Sequence, residues 1–397
     1  MDSVRKLRFL GQTAIAGVGM TPYTKCSGQS VLDLAVNACR AAAEDAGQDL
    51  GNIDGILSYS WNNDSVPAQA VVTVLRIPEA RLMADLNLGG QAPSYLVMLA
   101  AACIHAGLAS NVLIYRALNG RSGPRVGSVR VPGPAADLRY QVGLSAYPQV
   151  IALWARRYLI ETGNTADDLS VVPIAQRKWA VDNVRAIRRS PLSLTDYLES
   201  PMIADPFRAA DCTTEVDGAC ALLVTSLSEA RDLRHLPVVI RGAAYVAGRG
   251  AGLDAGDSLW WPDLSRNYTS VLAADLWRGA GMQPADVDMA QLYDCFSSSV
   301  LFALEGLGLA ARGEAAAFIR DGHTSPGGIL PVNTNGGLLC EGYLHGMNTV
   351  AEAVLQLQGR AGSRTVPGAQ TCVVTSGALT DGSALVLSKG PREGRAQ

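Results

Sequence analysis

The chain has 397 residues, 48% of them hydrophobic and 17% charged, and a formal net charge of −3. That length suits two domains or two repeated halves, each able to bury its own core, and the composition excludes extensive disorder. The small negative charge gives no reason to expect nucleic acid or an anionic membrane as a partner, and the longest apolar run, near Tyr95–Ile104, is too short to span a bilayer.

The first residues (Met1-Asp-Ser-Val-Arg-Lys-Leu-Arg8) have no long apolar stretch behind their charges, so no signal peptide is expected. The eight cysteines, at 26, 39, 103, 212, 220, 295, 340 and 372, form no CxxC pair. They predict reduced core residues of a cytoplasmic protein rather than a metal site.

In chain order, the strand Thr13-Ala-Ile-Ala16 runs into Gly17-Val-Gly19. Pro22 stands where a dinucleotide fingerprint would need its third glycine, so this is read as the turn after the first strand. A helix is predicted over Ser30–Ala46, ended by Gly47, with a strand from Asp54 to Tyr59. Gly89-Gly90 precedes an apolar helix over Ser94–Ala106, with Pro93 suited to its first turn, and then the strand Asn111–Arg116. The two glycines either permit a tight turn or clear space for a bulky substrate and expose N–H groups to an oxyanion.

The segment Ala117–Pro206 interrupts this rhythm. It opens on a Gly/Pro/Arg stretch from Asn119 and continues into helices predicted around Gln149–Thr162 and Asp167–Ala186. It reads as an insertion over the active site. Its basic cluster, Arg177, Lys178, Arg185, Arg188 and Arg189, either attracts a phosphorylated carrier such as coenzyme A or is an ordinary solvated helix face.

After the strand Ala219–Thr225 and a boundary near Ser228–His235, the pattern repeats. A helix over Ser270–Ala280 ends at Gly281, and a strand starts at Asp288, seven positions later, as Asp54 follows Gly47. Gly336-Gly337 precedes a helix near Leu344–Leu357 and the strand Thr371–Thr375, echoing Gly89-Gly90. The glycine-rich stretch Gly248–Gly256 is read as a loop over the pocket, with Trp260-Trp261 beyond it as a substrate wall or a partner-facing patch. Buried-type strands such as Pro237-Val-Val-Ile240 and Cys372-Val-Val-Thr375 predict an α/β fold with two parallel-rich sheets packed through helices.

Two motifs carry the chemistry. Gln291-Leu-Tyr293-Asp-Cys-Phe296-Ser resembles the His-Asp-Cys-Phe-Ser element of sterol-carrier-type thiolases, with tyrosine for the histidine. Asn335-Gly-Gly-Leu-Leu-Cys-Glu-Gly-Tyr343-Leu-His-Gly-Met-Asn348 resembles their Gly-Gly-x4-Gly-His-Pro-x-Gly element, with Tyr343 for the histidine and Leu344 for the proline. With the region Trp154–Thr225, these motifs make nearly the whole chain similar to the thiolase superfamily. Within it the chain resembles the thiolase-like retro-aldolases of bacterial steroid side-chain degradation.

The resemblance implies a duplicated βαβαβ fold in an α-β-α-β-α layering. Residues 1–116 and 207–235 would form the N-terminal half, 117–206 an inserted loop domain and 236–397 the C-terminal half. It also places the two thiolase cysteine positions on Gly90 and Thr375. Both catalytic cysteines and both histidines are therefore replaced, and a tyrosine, with an ordinary pKa of about 10, cannot activate a thiol near neutral pH. Cys295 and Cys340 flank the tyrosines but have no histidine at useful spacing, so no reactive role is expected of them. His105, His235 and His323 have no partner pattern.

The activity implied is retro-aldol cleavage of a β-hydroxyacyl-CoA, possible for a steroid side-chain thioester, to a ketone and a shorter acyl-CoA without a covalent intermediate. Tyr343 is assigned to the hydroxyl proton and Tyr293 to the α-carbon. Backbone donors at Gly90 and near Gly377 would hold the enolate, assisted by His345 or Asn335, while Arg177, Lys178 and Trp260 would bind substrate. The alternatives are a Claisen-type thiolase with an atypical nucleophile and a non-catalytic acyl-CoA carrier or scaffold. No cofactor is expected in this chain, since coenzyme A is part of the substrate. The resemblance further implies a small partner of barrel and zinc-ribbon type, carrying any zinc, in a heterotetramer. A homodimer with an isologous interface through Asn111–Arg116 is expected.

Overall fold

The computed structural model describes residues 7–125, 136–248 and 261–391. Nine strands form its main sheet: β1 (Thr13–Met20), β2 (Gly55–Ser60), β3 (Leu82–Asn87), β4 (Val112–Asn119), β5 (Asp217–Ser226), β6 (Val238–Val246), β7 (Met289–Gln291), β8 (Thr371–Gly377) and β9 (Gly382–Lys389). Their order across the sheet is β3-β2-β4-β5-β1-β6-β9-β8-β7.

Read outward from the centre, the halves run 1-5-4-2-3 and 6-9-8-7. In both, the first two pairings are antiparallel and the next is parallel. The place that β3 takes in the first half is filled in the second by a parallel bridge from Ala290 of β7 to Val332. The repeat reaches individual side chains. Asp54, before β2, accepts the backbone N–H groups of Ser110 and Asn111 at the start of β4. Asp288, before β7, accepts those of Gln370 and Thr371 at the start of β8. Each follows a left-handed glycine that ends a helix, Gly47 at φ 74° and Gly281 at φ 65°.

Seven helices matter here: α1 (Val31–Ala46), α2 (Ala92–His105), α3 (Tyr147–Thr162), α4 (Val171–Ala180), α5 (Thr269–Ala280), the single turn α6 (Gly337–Cys340) and α7 (Met347–Leu357). α1 starts where Ser30 accepts the Asp33 N–H, and it packs on the outer face of β1, β4 and β5. α5 covers β6 and β9. Between the half-sheets lie α2 and α7, which contact strands of both. Their Leu96, Val97, Val350 and Val354 share one buried cluster with Ile15, Val374 and Leu385. The layering is therefore α-β-α-β-α.

Three expectations need correction. The sheets are mixed rather than parallel-rich, and they are joined, because β1 pairs β6 through Ala14–Val239 and Ile15–Val238. The β-branched runs in β6 and β8 are continuous because both faces carry helices, which buries antiparallel strands as completely as parallel ones. Asn111–Arg116 is not an edge that a second copy could pair with, since β4 lies between β2 and β5 and these six residues are all buried. The edge strand of the first half is β3, where Met83, Asp85 and Asn87 alternate outward. The helix over Asp167–Ala186 is also shorter than expected. A 3-10 turn covers Ala166–Ser170, and α4 starts anew at Val171 with Pro173, which has no N–H to donate, in its first turn.

Candidate active site

Tyr293 stands two residues past the end of β7, and Tyr343 lies on the loop between α6 and α7. Their hydroxyls are 2.8 Å apart, and both side chains are buried. The Tyr293 backbone N–H donates to Thr375 Oγ1 at 2.9 Å, so Thr375 anchors the tyrosine loop. The Tyr343 N–H donates to the Thr214 carbonyl at 2.8 Å.

The space for this pair comes from glycines. An ideal Cβ on Gly90 would lie 1.9 Å from the Tyr293 hydroxyl oxygen, and one on Gly346 would lie 2.8 Å from its Cδ2. Gly90 stands just before α2, and Gly346 caps α7 at φ 86°. Gly89 and Gly90 do enter a tight turn, in which the Ala92 N–H donates to the Gly89 carbonyl at 3.1 Å, but neither has a positive φ, so the turn itself does not demand glycine. The room at Gly90 is taken by Tyr293 rather than left for substrate. The true counterpart of Gly90 is Gly346, not Gly336-Gly337. That pair has φ 92° and 66° and opens α6, where a Cβ on Gly337 would collide with the Asp294 carboxylate.

Burial pushes both phenols above the ordinary tyrosine range. Two smaller effects favour ionisation of Tyr343, its hydrogen bond with Tyr293 and the nearby Arg116 charge. Burial also pushes the Cys295 and Cys340 thiols up to about 12, which leaves them poor nucleophiles. Asp294 accepts the N–H groups of Leu338 and Leu339 at 2.9 and 3.1 Å and so ties the Tyr293 loop to α6. Burial pushes its carboxyl up to about 7.

His345 lies edge-on to Tyr343, with ring centroids 4.7 Å apart. Its backbone sits at φ 49°, a conformation a non-glycine residue adopts only where its surroundings enforce it. Asn335, expected to assist at the oxyanion, is fully engaged elsewhere. Its Oδ1 accepts the Gly337 N–H at 2.8 Å and its Nδ2 donates to Glu341 Oε2 at 2.6 Å, so it shapes the loop instead. Gly377 closes the β8–β9 hairpin opposite Gly382, against the Tyr268 ring.

The basic cluster does not form one patch. Arg185 turns inward to Glu341 and Glu352, at 3.1 and 3.6 Å. Arg188 donates to the carbonyls of Ala209 and Cys212, and Arg189 to that of Val181. Arg177 donates to the Ser190 carbonyl at 2.6 Å, and Lys178 is exposed on α4. Trp260 lies outside the described residues, as does most of the glycine-rich loop before it.

Two groups escaped the sequence reading. Glu341 is buried and accepts four donors: Asn183 Nδ2, Arg185 Nε, Asn335 Nδ2 and Asn348 Nδ2. It joins the segment after α4 to both sides of the Tyr343 loop. Arg116 is fully buried in β4 and contacts Asp64 and His345. A charged residue inside an otherwise buried-type strand was the available signal for Arg116.

Residues 250–389 match the family model described as thiolase C-terminal domain-like. The chain is 38% identical over 389 residues to a 17-hydroxy-3-oxo-4-pregnene-20-carboxyl-CoA lyase of Mycobacterium tuberculosis, covering 95% of this chain and 99% of that protein. It is also 38% identical to a steroid side-chain-cleaving aldolase of Thermomonospora curvata, over 95% of this chain and 98% of that one. The chain belongs to the thiolase-like aldolases. A solved structure of an Ltp2-ChsH2(DUF35) aldolase superposes with a TM-score of 0.88 at 37% identity, over 96% of this chain and 98% of that one. These aldolases are enzymes, carbon–carbon lyases on a thiolase scaffold.

Proposed function

We propose that this enzyme cleaves a β-hydroxyacyl-CoA by a retro-aldol reaction, with the Tyr293–Tyr343 pair moving the proton. The carrying observation is the 2.8 Å contact between the two hydroxyls. In the reaction the β-hydroxyl loses its proton, and the electrons of the Cα–Cβ bond pass into a thioester enolate. The enolate is protonated at the α-carbon, so a ketone and a shorter acyl-CoA leave. One proton has moved and no co-reactant is consumed.

Because burial raises both phenols, neither stands as a phenolate at neutral pH. The proton therefore passes along the pair in concert with bond cleavage. Tyr343, the phenol whose ionisation Arg116 and Tyr293 favour, suits the β-hydroxyl, which leaves Tyr293 for the α-carbon. Among the described residues the Gly90 N–H has no acceptor, and Gly90 packs against the Tyr293 hydroxyl, so we assign this N–H to the enolate oxygen. An acyl-enzyme route has no support from thiols held near 12.

The names of the similar lyase and aldolase favour a steroid side-chain thioester as the acyl group. The paired name of the superposable structure favours a second protein beside this chain, for which a small barrel with a zinc ribbon is our expectation. The test is turnover of a panel of β-hydroxyacyl-CoA esters, steroid and non-steroid, with and without the co-expressed neighbour. Release of a ketone and a shorter acyl-CoA is expected. Thiol-dependent acyl transfer with no cleavage would overturn the reading.

A further inference from the structure

Arg116 is an arginine with no exposed side-chain surface, within β4. Its Nη2 lies 2.6 Å from Asp64 Oδ2 and 2.7 Å from His345 Nδ1, and its Nη1 donates to the Tyr59 carbonyl at 3.0 Å. The guanidinium lies 5.1 Å from the Tyr59 ring centroid, and the Tyr59 hydroxyl donates to the carbonyls of Leu344 and His345 at 3.2 and 3.0 Å. The imidazole is therefore held by its backbone from β2 and by its ring nitrogen from β4.

An arginine stays protonated inside proteins and offers donors but no acceptor. A 2.7 Å contact between Nη2 and Nδ1 can form only if Nδ1 is bare and accepts. In a neutral imidazole the single proton must then sit on Nε2. We propose that Arg116, held by Asp64, is a positioning residue that locks His345 as the neutral Nε2–H tautomer. The imidazole is thereby a hydrogen-bond donor, and neither a base nor a cation, over the working pH range.

The charged and titratable groups around the ring are Arg116 from β4, Asp64 from the loop after β2, Tyr59 from β2 and Tyr343 at its edge. Burial first, and the Arg116 charge second, push His345 down to about 3, with Asp64 opposing them. The arginine is held in a buried strand because Asp64 meets its charge at Nη2 and the Tyr59 carbonyl accepts from Nη1, while Nη2 also reaches one site residue, His345. The catalytic use of that Nε2–H, donation to the thioester oxygen, rests on the retro-aldol reading. The tautomer itself does not.

The test is nitrogen-15 spectroscopy of imidazole-labelled full-length enzyme, assembled with its partner if one is required. The chain has four histidines, and the His345 signals are assigned by their loss in His345→Gln. Between about pH 5 and pH 8, where an ordinary histidine titrates, the wild type should show a bare Nδ1 and a protonated Nε2 that do not change. Arg116→Gln removes both the donor to Nδ1 and the charge beside the ring, so the His345 signals should depart from the wild-type pattern and turnover should fall. Asp64→Asn should leave His345 neutral.

A His345 that titrates in the wild type, or carries its proton on Nδ1, overturns the lock even if Arg116→Gln fails to fold. Unmoved His345 signals in a folded Arg116→Gln variant also overturn it. Full turnover by His345→Gln with the expected wild-type tautomer would remove the catalytic role of His345 and leave the lock standing.

Discussion

The hydroxyl of Tyr293 occupies the space in which a side chain on Gly90 would begin, since an ideal Cβ there would be 1.9 Å from the phenolic oxygen and 2.2 Å from Cζ. A side chain at position 90 and the Tyr293 phenol therefore exclude one another, so the phenol can seat here only over glycine. The contact also aligns Tyr293 with Tyr343 across the junction of the two central helices.

Tyr293→Phe and Tyr343→Phe should each lower turnover by at least about 100-fold, the lower range for a positioned acid–base group. Each change removes only a hydroxyl from a buried ring, so unfolding midpoints should move little. Steady-state cleavage of a β-hydroxyacyl-CoA measures the effect, and near-normal turnover in both variants would exclude the proton relay.

Gly90→Ala should overpack the site and lower stability by about 1–3 kcal/mol. It should reduce turnover at least as far as Tyr293→Phe, because the methyl displaces the phenol. The double variant Gly90→Ala/Tyr293→Phe should be no slower than the slower single one. Multiplying losses, measured in the same assay, would mean that the two positions act separately.

No cysteine should be essential. Cys295→Ala and Cys340→Ala should keep most of the activity, since burial holds both thiols near 12 and far from thiolate at neutral pH. Intact-mass measurement after mixing with substrate should show no acyl adduct. A stable adduct on any cysteine would restore the Claisen-type route.

Glu341→Gln should cost about 3–5 kcal/mol, the range for breaking a buried ion pair from one side. The new amide would set a donor against some of the four donors that now meet the carboxylate. Turnover should fall with stability, because the same carboxylate fixes the loop that carries Tyr343. Denaturant unfolding and kinetics together check this, and an unchanged midpoint would contradict the role given to Glu341.

The chain is expected to form a dimer through β3 rather than β4. β3 is the open edge of the first half, and it presents Met83, nearly half exposed, beside Asp85 and Asn87. Light scattering on the isolated chain should give twice the chain mass, and a monomer would end the expectation.

The duplicated halves were legible before folding was known, because helix caps, the glycine-to-aspartate spacing and buried-strand patterns are local signals. Gly47 with Asp54 and Gly281 with Asp288 mark the same turn twice, and each aspartate caps the start of a neighbouring strand. Tyr293 and Tyr343 could be picked out as site candidates before folding was known, since each lies in a contiguous motif. Tertiary structure alone decided what surrounds them. Gly90 and Tyr293 lie about half the chain apart, so only folding reveals that one fills the space of the other. Asn335 and Arg185 could be read as free polar groups in the sequence, yet packing commits both to Glu341. Strand order likewise depends on pairings between distant segments, which is why the strand chosen as an edge proved to lie inside the sheet. Arg116 makes the same point from the other side: a charge can stay in a buried strand when folding brings it a carboxylate from one loop and an imidazole from another.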